Sequence, residues 1–351
     1  MNLWKGYQRG INFGGWLSQC DHTKNRYETF INEANFKDVS EWGADHIRLP
    51  IDYNLVETPE GKYKEEGFVY IQNAIDWCEK YNLNMILDLH KTFGYSFDAG
   101  ENEDGFFVSK EYQERFMLLW EQFAMRFGKY SDRVAFELLN EVTLPEYMPT
   151  WLRVVEKCID RIRKITPNVT ILVGGYWNNS IEAIKDINLS SYENVVLNFH
   201  CYEPFIFTHQ GAYWLDTMKS DFRIQFPDSI TKYEDETETM FADMADTFRG
   251  LTKGSDSITK TYFENLFSQA ITFAQEKNVP LYCGEFGVIN LADVESTLRW
   301  YQTIMPVLKQ HNIGCAIWSY KEMDFGIIDA HMNPIFLELK KEVFGNVKNE
   351  N

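Results

Sequence analysis

Short apolar runs alternate along the chain with longer stretches in which apolar residues recur every three or four positions. Eight of the short runs read as strands. They begin near Gly10 (GINFGG), Asp45 (DHIRLP), Asn84 (NMILDLH), Val134 (VAFELLNE), Thr170 (TILVGG), Val195 (VVLNFHCY), Pro280 (PLYCGEFG) and Cys315 (CAIWSY). The stretches Phe68 to Tyr81 and Trp151 to Lys164 carry the helical period. Spacings between successive strand starts are 35, 39, 50, 36, 25, 85 and 35 residues, and all but the 85 suit one strand plus one helix. Strands that are apolar throughout and alternate with helices predict a parallel sheet covered on both faces. Eight such units predict a closed (β/α)₈ barrel.

The 351 residues allow two domains by length. The spacings favour a single barrel over residues 1–351, with one exception. A helix over Ile258 to Lys277 leaves residues 205–257 as an insertion between strand six and helix six, rich in Trp, Phe, Tyr, Asp and Glu. Loops that follow barrel strands form the functional face, so the insertion is expected to cover part of a cleft. A decoration without substrate contact is the alternative.

Charge narrows the partners. With 34 Lys and Arg against 52 Asp and Glu the net charge is −18, which repels phosphate backbones and anionic membranes and argues against nucleic acid or membrane as a partner. A neutral or cationic ligand fits, although acidity also serves solubility alone. Aromatics make up 16% of the chain, enough for a large core with some left to line a groove. No apolar run reaches membrane-span or signal-peptide length. The expected location is the cytoplasm, or outside the cell with a signal peptide absent from this sequence, and the expected state is a monomer. Six scattered cysteines, without a C-x-x-C pair, read as buried free thiols.

In such a barrel the polar residues that end apolar strands are the informative ones. Here they are Arg48, His90, Asn140, Glu141, His200, Tyr202, Glu285 and Trp318. Glu141 and Glu285 each close a strand that should be buried, where an unpaired carboxylate is costly. Facing each other across the barrel mouth, two carboxylates provide what glycosidic hydrolysis requires: one protonates the leaving oxygen, the other attacks or activates water. Arg48 beside Glu285 would keep that carboxylate ionised. Asn140 can donate to a sugar hydroxyl. His200 and Tyr202, two apart on one strand, project to the same side and could orient the glutamates. His90 could bind substrate hydroxyls, and Trp318 could offer a flat face to a sugar ring.

The ordered set Arg48 in HIRLP, His90 in LDLH, Asn140 and Glu141 in ELLNE, His200 and Tyr202 in NFHCY, Glu285 in GEFG and Trp318 in IWSY resembles glycoside hydrolase family five over about residues 8 to 345. The stretches GINFGGWLSQ, YEPFIFTHQGAYW, LYCGEFGV and YKEMDF resemble a bacterial branch of that family with an insertion after strand six. The resemblance implies a retaining β-glucanase acting by double displacement, with Glu285 as nucleophile and Glu141 as acid and then base. It implies carboxyl groups about 5 to 5.5 Å apart. Hydrolysis of β-1,4-glucan, with mixed-linkage glucan also accepted, is the expected activity; β-1,3-glucan and β-mannan are the alternatives. Lys91 departs from the family, which often has a second histidine there. Lys321 and Glu322 could bond sugar hydroxyls or form a solvated loop pair.

Two other classes compete. A silent carbohydrate-binding barrel is expected to lack one glutamate. A nucleotide-dependent enzyme needs a G-x-G-x-x-G turn or a phosphate loop, and neither occurs. No metal-binding signature occurs either, so neither cofactor nor metal is expected.

Overall fold

A computed structural model describes residues 2–98, 101 and 104–345. Ala99, Gly100, Asn102 and Glu103, within the segment that follows strand three, lie outside the described residues. Eight strands form a closed, all-parallel barrel in sequential order: β1 (Arg9–Asn12), β2 (His46–Asp52), β3 (Asn84–Lys91), β4 (Val134–Glu137), β5 (Ile171–Val173), β6 (Val195–Cys201), β7 (Leu281–Phe286) and β8 (Gly314–Ile317). Each begins within one residue of the position its apolar run predicts.

The longer helices surround the barrel: α1 (Glu33–Glu41), α2 (Glu65–Lys80), α3 (Lys110–Phe127), α4 (Met148–Ile165), α5 (Ile230–Met240), α6 (Ala242–Thr252), α7 (Lys260–Lys277), α8 (Val294–Gln310) and α9 (Phe336–Phe344). Local signals set their ends. Asn32 caps α1 in a reciprocal pair with Asn35, and α2 opens on Glu65 and Glu66 and closes on Lys80, as the helix dipole favours. The fifth unit departs from strand plus helix. Its 25-residue spacing, rich in Gly, Asn and Ser, holds only the turn Tyr176–Asn179 and the 3₁₀ segment Ile181–Asp186. Between β6 and α7 the chain forms the short helix Phe205–Thr208, then α5 and α6.

Side chains alternate across each strand. One set (Ile47, Leu49, Met85, Leu87, Phe136, Leu197, Phe199) packs outward into the main core with the helices. The inward set forms a separate, smaller cluster at the base of the barrel: Ile86, Ala135, Leu172, Val196, Tyr282 and Ala316, closed below by Tyr7 stacked on Trp4 at 3.9 Å. His46 Nε2 lies 2.6 Å from the Tyr282 hydroxyl in this floor. Five of the six free cysteines are buried, as expected; Cys20 is partly exposed because its loop borders the cleft. Among the described residues no helix is long and apolar enough to cross a membrane.

Candidate active site

Above the apolar floor the inward positions turn polar. Arg48, fully buried, lies at the centre. Its Nε and Nη2 donate to the two Glu137 carboxylate oxygens at 2.7 Å each, and Nη2 also to Asn140 Oδ1 at 2.7 Å. Nη1 donates to Glu285 Oε1 at 2.6 Å and to Asn12 Oδ1 at 3.0 Å, while Asp88 Oδ2 lies 3.0 Å from Nη2. One guanidinium thus serves three buried carboxylates, a geometry that its rigid fork of donors permits and a lysine could not reproduce.

Glu285 owes its direction to an irregularity in β7. The register with β6 shifts so that Phe199 pairs with Cys283 and His200 with Glu285, leaving Gly284 as the extra residue. Asn198 Oδ1 accepts the Gly284 N–H at 2.9 Å, and its Nδ2 donates to Glu137 Oε1 at 2.7 Å. A Cβ on residue 284 would lie 2.6 Å from Asn198 Oδ1, so the close approach needs glycine. Tyr202 then donates its hydroxyl to Glu285 Oε2 at 2.9 Å. Two donors converge on this carboxylate, one of them a cation.

Glu141 has a different environment. His200 Nδ1 lies 2.7 Å from its Oε1, and Asn178 Nδ2 donates to its Oε2 at 2.8 Å. Burial pushes the Glu141 carboxyl up to about 7, against the opposing pull of Asn178 and Arg48. Burial also lowers His200 and His90 to about 4 each, so both imidazoles are neutral near pH 7. A carboxylate oxygen of Glu141, one of Glu285 and a ring nitrogen of His200 lie within 4.8 Å of one another. Among the described residues this is the only three-residue group with spacing fit for a metal. The same atoms, however, are hydrogen-bonded to one another or to Arg48, Tyr202 and Asn178.

The loop residues behind Glu141 are strained. Trp177, Asn178 and Asn179 hold φ of 50°, 54° and 62°, a left-handed run that costs on the order of 1–3 kcal/mol at a bulky residue such as Trp177. The N–H groups of Trp177 and Asn178 donate to the carbonyls of Thr143 and Val142, at 3.1 and 3.0 Å. Tyr95 donates to the Glu141 carbonyl at 2.6 Å.

The remaining candidates are placed as follows. His90 is buried, with Nδ1 2.6 Å from Asp88 Oδ2 and Nε2 3.1 Å from Gln19 Oε1, and its ring lies parallel to Trp318 at 5.6 Å. Trp318 lines the cleft while packing on Ala212, Ile289 and Phe325. Asn140 Nδ2 and His200 Nε2 are buried polar atoms without a protein partner, and His200 lines the cleft. Lys91 is paired with Asp98 and with Glu101 at 2.9 Å. Lys321 and Glu322 are not cleft residues: Lys321 Nζ sits 4.3 Å over the Phe30 ring and Glu322 pairs with Arg26 at 3.3 Å. The cleft, about 1600 Å³, is bordered by Cys20 and His22 on one side and by Phe205, Trp214, Phe241 and Met244 from the segment after β6 on another.

Asp88, Glu137, Asn198, Asn12 and Asn178 are absent from the reading of strand ends. The first three carry a legible signal, since each is a polar residue at an inward, alternate position of an apolar strand (LDLH, VAFE, LNFH). Asn178 carries none beyond an Asn pair that tolerates left-handed backbone.

A (β/α)₈ barrel that gathers two glutamates, a buried arginine and neutral imidazoles at the mouth of a long cleft is of the barrel glycosidase class. The family described as Cellulase (glycosyl hydrolase family 5) matches residues 8–324. Cellodextrinase A of Ruminococcus flavefaciens is 43% identical over 88% of this chain and 84% of its own length. Endoglucanase C of Acetivibrio thermocellus is 36% identical over 95% of this chain and 96% of its own. Among solved structures, a hyperthermophilic endo-β-1,4-glucanase in complex with substrate shares the fold, with a TM-score of 0.75 at 22% identity over 97% of this chain and 98% of that one. The chain belongs to glycoside hydrolase family 5, and it is a glycoside hydrolase of the cellulase type.

Proposed function

We propose that this enzyme hydrolyses β-1,4-glucosidic bonds of cellulose-type and mixed-linkage β-glucans by double displacement, with retention at the anomeric carbon. The observation that carries the reading is the approach of Glu141 and Glu285 oxygens within 4.8 Å. That is near the roughly 5–5.5 Å of retaining pairs and short of the roughly 6.5–9.5 Å that leaves room for a water in inverting ones.

The environments divide the labour. Glu285, faced by Arg48 and Tyr202, attacks C1 of the sugar as the C1–O bond breaks. Glu141, held near neutrality by burial, gives its proton to the departing oxygen. A water then loses a proton to Glu141 and attacks C1, and Glu285 leaves as carboxylate. The unpartnered Asn140 Nδ2 is free to donate to a sugar 2-hydroxyl, a contact that strengthens in the transition state. The roles of His90 and Trp318 are to line and orient the ring nearest the pair. The names of the two curated relatives, a cellodextrinase and an endoglucanase, support a β-glucan over mannan. Residues 205–257 act as an inserted subdomain that forms one wall of the cleft.

Proton NMR of the sugar first released from cellotetraose tests the mechanism: the β-anomer is expected, and the α-anomer overturns retention. A parallel panel of barley β-glucan, carboxymethylcellulose, laminarin and mannan tests the substrate. Faster release from laminarin or mannan than from both β-1,4-containing glucans overturns the specificity.

A further inference from the structure

We infer that Asn178 is a positioning residue for the acid: it selects Oε2 of Glu141 as the oxygen that delivers the proton and holds that oxygen's orientation. The inference rests on the assignment of Glu141 as acid/base. The two oxygens of Glu141 face different partners, His200 Nδ1 at 2.7 Å from Oε1 and Asn178 Nδ2 at 2.8 Å from Oε2.

His200 decides what Oε1 can do. Its Nε2 is buried without a partner. A bare lone pair there costs less than an unmet N–H, so the hydrogen belongs on Nδ1 and is donated to Oε1. Oε1 is therefore an acceptor, and the acid proton sits on Oε2. An amide N–H₂ can only donate, so Asn178 occupies one lone pair of Oε2 and leaves the other for the proton. As that proton departs, the Asn178 hydrogen bond strengthens toward the forming carboxylate, which favours transfer.

The backbone supports this reading. Asn178 lies at the exposed rim of the cleft, so a bound sugar would shield its bond to Glu141 from water. It is held in the left-handed run 177–179, tied by main-chain bonds to Val142 and Thr143 immediately after Glu141, so the acid and its partner move as one unit. Asn179 anchors the run by accepting the Gly175 N–H at 3.0 Å, and a Cβ on Gly174 would fall 1.6 Å from Asn179 Oδ1 and displace that anchor. The other polar and charged groups around Glu141 are His200 from β6 and Tyr202 just after it, Glu285 from β7, Arg48 from β2, Asp88 from β3, and Tyr95 and Asp98 from the loop after β3.

The test compares Asn178→Ala, Asn178→Asp and Glu141→Ala on cellotetraose, whose leaving group needs a proton, and on 2,4-dinitrophenyl β-cellobioside, whose leaving group does not. For Asn178→Ala, kcat/KM on cellotetraose is expected to fall about tenfold, with less than about a twofold change on the aryl substrate. The alkaline limb of the kcat/KM profile should move to higher pH, further still in Asn178→Asp, where a second acid faces Oε2. Equal losses on both substrates with an unmoved alkaline limb would overturn the inference in favour of a purely structural role. Should Asn178→Ala fail to fold, the near-isosteric Asn178→Asp carries the same readouts. If Glu141→Ala itself shows no selective loss on cellotetraose, the acid assignment fails; if it does and Asn178→Ala does not, only the role of Asn178 fails.

Discussion

At the base of the barrel Ile86, Ala135 and Val196 point inward as aliphatic side chains, and two residues further along the same strands Asp88, Glu137 and Asn198 point inward as carboxylates and an amide. The backbone geometry is common to both levels; only the side chains change. The lower level buries apolar surface and needs no partners. In the upper level every charge depends on another, with Arg48 bonded to Glu137, Glu285, Asn140 and Asn12 and set against Asp88. Packing at the base thus holds a ring of strands in which an electrostatically expensive site can be kept.

The contrast can be broken or sharpened by experiment. The largest effect is expected from Glu285→Gln, which keeps shape and removes the proposed nucleophile: kcat on cellotetraose should fall by about 10⁴-fold or more with an unaltered circular dichroism spectrum. Activity near wild type would remove Glu285 from the chemistry. Next, Arg48→Met strands three buried carboxylates without their cation and should cost about 3–5 kcal/mol in urea unfolding, alongside loss of activity.

At the lower level Leu172→Ala, at a fully buried floor position, should cost about 2–5 kcal/mol of stability with KM for cellotetraose unchanged. A large change in KM would show that the two levels are coupled rather than separable.

The smallest effect concerns pH. Glu141 sits at about 7 when folded, above its ordinary value of 4.5. A raised carboxyl favours the folded state fully below pH 4.5, and that contribution is lost as pH rises through about 7. Glu141→Gln should therefore gain about 3 kcal/mol of stability over wild type on going from pH 4 to pH 8, measured by denaturant midpoints. The same protonation predicts that wild-type kcat/KM falls as pH rises above about 7. An alkaline limb that persists in Glu141→Gln would assign the titration to another group.

Much of the architecture was legible because strand starts follow from where apolar runs begin, and the structure matches all eight within a residue. The fifth unit was less so, since a length of 25 residues admits a strand and helix but its Gly, Asn and Ser content favours turns. At the site, attention to strand ends found Arg48, His90, Glu141, His200, Tyr202 and Glu285, which the barrel brings together around one cleft. It overlooked Asp88, Glu137 and Asn198, because a polar residue within an apolar run marks a buried polar position but not the partner that it meets once the barrel closes. Lys321 and Glu322 resembled cleft residues by position alone, and the fold turns them toward Phe30 and Arg26.

Periodicity and chain order by themselves determined that eight parallel strands close on one another and which polar residues crown them, because alternation and spacing are local properties of the chain. Only the tertiary structure decided which oxygen meets which donor. Arg48 reaches Glu285 across 237 residues, and His200 reaches Glu141 across 59. Asn178 reaches Glu141 only through a left-handed turn that its own sequence does not announce. Contacts of a few ångströms between residues distant in the chain depend on closure, register and the shift at Gly284, and no local pattern encodes them.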